Sequence, residues 1–72
     1  MPSKYPVLKP EEVIRALQKA GFTYKSQKGS HAKYSYNGRN VIIPMHEEVR
    51  KGTLKSILSQ AGLSLAEFEK LL

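Results

Sequence analysis

Cysteine and aspartate are both missing from this 72-residue chain, and histidine occurs only twice. Without cysteine there are no disulfides and no thiolate metal ligands, so a reducing cytosolic setting fits best. Two histidines and no aspartate give no recognisable metal-ligand spacing, and neither a metal nor another cofactor is expected. The same scarcity leaves few side chains for acid–base chemistry near neutral pH, where histidine alone titrates unperturbed. No apolar run approaches the roughly 20 residues of a membrane span, and the N-terminus lacks the apolar stretch of a signal peptide. The expectation is a soluble, cytoplasmic protein with no membrane partner. Residues 1–72 are expected to form one domain. Its core should be small, since a chain of this size buries only about 60% of the surface its unfolded form exposes.

Negative charge is also missing over a long stretch. From Val13 to His46 there is no acidic residue, whereas Arg15, Lys19, Lys25, Lys28, Lys33 and Arg39 are all basic. Glu11, Glu12, Glu47, Glu48, Glu67 and Glu69 lie outside that stretch, and the formal net charge is +6. A basic middle between acidic ends reads as the footprint of a protein that binds a polyanion. No helix sets a strongly basic face against a large apolar one, so a membrane surface fits less well. Ordinary solubilising charge is the plain alternative.

The elements that are present follow in a simple order. Pro2 and Pro6 keep the lead-in from Met1 to Lys9 out of helix. Pro10 suits the first helical position, with Glu11 and Glu12 favourable in the first turn. Val13, Ile14, Leu17 and Ala20 then keep helical spacing, and Gly21 supplies a left-handed stop, giving a helix over about 10–20. Phe22 to Gln27 alternates as a strand, Lys28-Gly29-Ser30 is a turn, and His31 to Tyr36 alternates again. Asn37-Gly38 is a two-residue hairpin signal, and Arg39 to Ile43 returns as a third strand that Pro44 ends. After a polar loop from Met45 to Lys51, a second helix runs from Thr53 to Ala61 with Gly62 as its stop. Ser64 and Glu67 make a capping box for a short last helix. The fold class is therefore α+β, ordered α-β-β-β-α-α, with helices on one face of a three-stranded antiparallel sheet.

The helices should pack on the sheet face that bears Ala32, Tyr34 and Tyr36. Alternation then puts His31, Lys33 and Ser35 on the open face, and Lys25, next to Tyr24, should join them. A one-residue bulge would invert that placement. A histidine with lysines and hydroxyls on one exposed surface suits phosphate contacts with imidazole moving a proton. For His31 the plain alternative is a turn cap, and for Lys25 and Lys33 a solvated charge. Tyr24, Tyr34 and Tyr36 read as core or sheet-edge packing rather than as platforms for bases.

Several segments together carry a family resemblance. They are the helix end Ala20-Gly21-Phe22, the turn Lys28-Gly29-Ser30-His31, and the strand end Ile43-Pro44 with His46 after it. The last is Lys51-Gly52-Thr53-Leu54-Lys55-Ser56-Ile57-Leu58, continuing through Ala61-Gly62-Leu63. In this order and spacing, from about Pro10 to Leu72, the chain resembles the HicA family of small toxins from bacterial and archaeal toxin–antitoxin pairs. The resemblance implies a double-stranded-RNA-binding-domain-like fold. It also implies an mRNA interferase, a ribonuclease that works without a metal and arrests translation, with a HicB-like antitoxin covering its active site. The family's key histidine falls on His31 and its turn glycine on Gly29.

These readings converge on RNA cleavage. His31 is expected as general acid or base, with the substrate's own 2′-hydroxyl as the candidate attacking group. Lys33, with Lys25 or Lys28, would hold the phosphate and stabilise the transition-state charge. Gly29 would admit the backbone and Ser30 orient a phosphate oxygen; Arg39 and His46 complete the expected RNA contacts. Water and His46 are the candidates for the second proton-transfer partner. Two alternatives from other classes remain: a non-catalytic double-stranded-RNA-binding module, and an interaction protein whose basic face docks an acidic partner.

Overall fold

A computed structural model describes residues 5–45 and 47–72. Helix α1 spans Pro10–Lys19, strands β1, β2 and β3 span Thr23–Lys28, His31–Tyr36 and Arg39–Pro44, and helices α2 and α3 span Lys51–Ala61 and Leu65–Glu69. The strands form one antiparallel sheet in the order β1-β2-β3. This is the α+β order that the periodicity predicts, and the double-stranded-RNA-binding-like arrangement that the family resemblance implies. No helix among the described residues is long and apolar enough to cross a membrane.

Local chemistry sets the element ends. The Glu12 carboxylate accepts the Lys9 backbone N–H at 2.8 Å, closing the entry to α1. At its exit the Gly21 N–H donates to the Gln18 carbonyl and the Phe22 N–H to that of Leu17, both at 3.0 Å. Gly21 takes φ 109°, the left-handed stop such a double bond requires. Phe22 is thereby part of the helix exit, and β1 starts one residue later than the alternation alone implies. Asn37 and Gly38 take φ 52° and 81°, the two positive values of the expected type I′ turn. Helix α2 begins two residues before the expected Thr53, because Arg50 stays extended while its carbonyl accepts the Leu54 N–H at 2.8 Å. Gly52 is tolerated in that first turn.

The core lies on one side of the sheet. Ala32 and Tyr34 of β2 and Val41 and Ile43 of β3 are buried there against Val13 and Leu17 of α1 and Leu54, Ile57 and Leu58 of α2. Phe68 of α3 is fully buried in the same cluster. In the lead-in, Leu8 and Val49 exchange backbone hydrogen bonds of 3.1 and 2.7 Å, tying residue 8 to the entry of α2. Strand β1 is different: all six of its residues are exposed.

Candidate active site

On the sheet face away from the helices, β2 presents His31, Lys33 and Ser35. Lys28 lies directly opposite His31 in the β1–β2 register, Ser26 opposite Lys33, and Ile42 of β3 flanks Lys33 from the other side. Directly opposed residues share a face, with Cβ atoms about 4.5–5.5 Å apart. Ser26, Lys28, His31, Lys33 and Ile42 together line a depression of about 460 Å³. His31 and Lys28 are exposed and Lys33 and Ile42 half-buried, so the rim is cationic and the floor partly apolar. The lining contains no carboxylate.

A bulge decides which residues of β1 take part. Tyr24 pairs with Tyr34 and Ser26 with Lys33, leaving Lys25 as the extra residue between two consecutive partners. Unbroken alternation puts Phe22, Tyr24, Ser26 and Lys28 on one side; the extra residue returns the first two to the helix face and turns the last two outward. The expected alternation of Lys25 with Tyr24 therefore does not carry through the strand. Lys25 is exposed at the bulge, outside the paired register, and the depression takes Ser26 and Lys28 instead.

The turn before His31 is tightly held. Gly29 takes φ 60° with open space where a Cβ would sit, so its backbone angle rather than crowding calls for glycine there. The Gln27 amide donates to the Gly29 carbonyl at 3.1 Å, and the Met45 N–H to the Ser30 carbonyl at 2.6 Å. The second bond ties the end of β3 to the turn and fixes His31 between two anchored segments. Ser30 is half-buried beside the depression rather than in its lining.

Arg39 is not brought to this site. It pairs with Tyr36 at the far end of the hairpin, five strand positions from the His31–Pro44 pair, and its guanidinium packs on Gly62. Five positions are about 17 Å. His46 lies outside the described residues. Sequence reasoning missed Ile42 and Ser26. Strict alternation along Val41-Ile42-Ile43 was enough to place Ile42 outward, whereas nothing in the composition of β1 marks the bulge that brings in Ser26.

Comparison with known proteins gives this geometry a family. The model of the family described as "HicA toxin of bacterial toxin-antitoxin" matches residues 10–63. The chain is also 40% identical over 58 residues to a "Probable mRNA interferase HicA" of Pseudomonas fluorescens (strain Pf0-1), covering 78% of this chain and 97% of that protein. The matched span holds α1, the whole sheet and α2, and with them every residue of the depression, so the chain belongs to the HicA toxin family.

Proposed function

We propose that this protein is a metal-independent endoribonuclease that cleaves mRNA at the depression around His31 and so arrests translation. The observation that carries the reading is the convergence of one imidazole and two ammonium groups, from Lys28 and Lys33, on a single accessible face. A relative called a probable mRNA interferase supports RNA as the substrate. In the reaction the 2′-hydroxyl attacks the adjacent phosphorus while the bond to the 5′-oxygen of the next nucleotide breaks. His31 takes the 2′-hydroxyl proton or supplies one to the leaving oxygen, and water or His46 serves the other transfer. The products carry a 2′,3′-cyclic phosphate and a 5′-hydroxyl. Lys28 and Lys33 hold the phosphate and offset the added negative charge of the transition state. Ser30 and Lys25 border this path as further phosphate contacts, and Gly29 keeps the turn low enough for the backbone to approach.

A HicB-like antitoxin is the proposed inhibitor. A face that attracts a polyanion also attracts an acidic protein, and covering His31 blocks substrate access. Such a partner also stabilises a small fold by mass action.

The test is incubation of the protein and its His31→Ala variant with end-labelled RNA in excess chelator. Removing a general acid–base group costs about 10²–10⁴-fold in rate. The variant should lose cleavage by that factor yet keep its fold and an RNA affinity that falls with salt. Equal cleavage by both proteins removes His31 from the chemistry. Products with 5′-phosphate ends rule out attack by the 2′-hydroxyl. A salt-sensitive gel shift with RNA left intact by both proteins makes the protein an RNA-binding module.

A further inference from the structure

The helix-side face of the sheet carries a cluster of four aromatic rings, and only half of it is covered. Phe22 and Tyr36 lie 5.6 Å apart between centroids at 56°, and Tyr24 meets Tyr34 edge-on at 5.8 Å and 81°. Phe22 and Tyr34 are buried, but Tyr24 remains 58% and Tyr36 50% exposed. They are two of the four large apolar side chains exposed among the described residues, and the β1–β2 register makes them diagonal neighbours. The helices cover β2 and β3 on this face but leave β1 open.

Both rings are held in place. The Tyr36 ring rests on the backbone of Gly21, where a Cβ would come within 2.8 Å of it. Tyr24 is braced by the buried Tyr34 ring. Rings fixed in this way lose little freedom when a planar ligand stacks on them. In register the two are diagonal neighbours, about 7–8 Å apart, a spacing that suits adjacent bases of an extended strand. The charged residues next to them in the strand register are cations. Lys25 stands at the bulge beside Tyr24, Arg39 is the cross-strand partner of Tyr36, and no carboxylate occurs between Val13 and Met45.

We propose that Tyr24 and Tyr36 form a stacking platform for two unpaired bases of a single-stranded RNA. The RNA backbone crosses the open edge of β1 at Lys25 and continues to the depression at His31. The inference rests on the ribonuclease reading above and adds the class of RNA to it. From Tyr24 to Lys28 is four strand positions, roughly 13 Å, so the path spans the sheet edge and a few nucleotides. A base-paired A-form helix keeps its base faces stacked internally and offers none to a flat aromatic surface. The platform therefore favours unpaired RNA, and it gives Arg39 and Lys25 a role that the depression does not.

The experiment measures equilibrium binding in the His31→Ala background, so that cleavage does not interfere. The probes are a labelled unstructured RNA and the same RNA annealed to its complement. Loss of one base–aromatic stack weakens single-strand binding by about 5- to 150-fold. Tyr24→Leu and Tyr36→Leu should each show a loss in that range, with duplex binding unchanged and Tyr→Phe at either position restoring the parent value. With His31 intact, the same leucine variants should raise KM and leave kcat unaltered. Leucine variants that bind single strands like the parent overturn the platform, as do variants that lose affinity for an acidic antitoxin while binding RNA normally. Parent protein that binds single strands through both tyrosines but cleaves none overturns the ribonuclease reading and leaves the platform standing.

Discussion

The two edges of the sheet are built to opposite ends. At β3 the outer edge is sealed: the Ile42 N–H donates to the Gln60 side chain of α2 at 3.0 Å, and Ser56 holds that amide at 3.2 Å. Behind it, Val41 and Ile43 are fully buried. At β1 every residue is exposed, and the strand is kept from pairing with other sheets by a bulge and by Lys25 and Lys28. Stability is concentrated on the β3 side, where helix, sheet and side chains satisfy one another. The accessible chemistry is concentrated on the β1 side, whose residues contribute little to the core and can meet a ligand without unfolding anything.

The contrast can be tested by substitution, and the largest effect should come from the sealed side. Ile43→Ala removes a fully buried side chain and should cost about 2–5 kcal/mol in urea unfolding. For so small a domain that approaches the whole stability. Lys25→Ala, at the exposed bulge of β1, should change stability by no more than about 0.5 kcal/mol. Similar losses at the two positions would erase the distinction. A smaller effect should follow from Gln60→Ala, which leaves the half-buried Ile42 N–H without its side-chain acceptor, at a cost of about 1 kcal/mol. Hydrogen exchange should then quicken at Ile42 before it does at Leu54 or Ile57; unchanged protection at Ile42 would show that α2 does not seal the edge.

The smallest effect is electrostatic and lies in α3, which carries Phe68 into the core. The Ser64 backbone N–H donates to the Glu67 carboxylate at 2.9 Å, and the Glu67 N–H returns a bond to the Ser64 hydroxyl at 3.1 Å. The backbone bond first, and the Ser64 side chain second, hold the Glu67 carboxyl below its ordinary 4.5. A depressed acid contributes stability above its unfolded value and loses it as pH falls through the folded one. Melting temperature followed downward through the carboxylate range should therefore drop slightly more in the parent than in Glu67→Gln. Parallel curves would mean that the box contributes nothing through charge.

Much of this architecture is legible in the sequence. Gly21, Asn37-Gly38, Gly62 and the Ser64–Glu67 pair act locally, through backbone angles and short-range hydrogen bonds, so their sequence signals translated directly into turns and caps. The alternation in β2 likewise placed His31 and Lys33 outward, because Ala32 and Tyr34 on the other side of that strand are buried. The part of the site on β1 was not legible. A strand exposed on both sides carries no contrast between polar and apolar positions, and contrast is what fixes register. The distance of Arg39 from His31 was hidden for a related reason. Charge along the chain says which residues are cationic, but the hairpin length decides that this one lies at the other end of the sheet from His31.

The bulge at Lys25 also bears on how the length of this chain can change. Tyr24 and Ser26 already pair with consecutive residues of β2, so losing Lys25 would leave each named partner in β1 on its present side. Losing Gln27 instead would turn Ser26 under the sheet and out of the depression. A one-residue loss therefore leaves the register of β1 intact at residue 25, at the expense of one cation, whereas two positions later it exchanges Ser26 for Lys25 on the outward side.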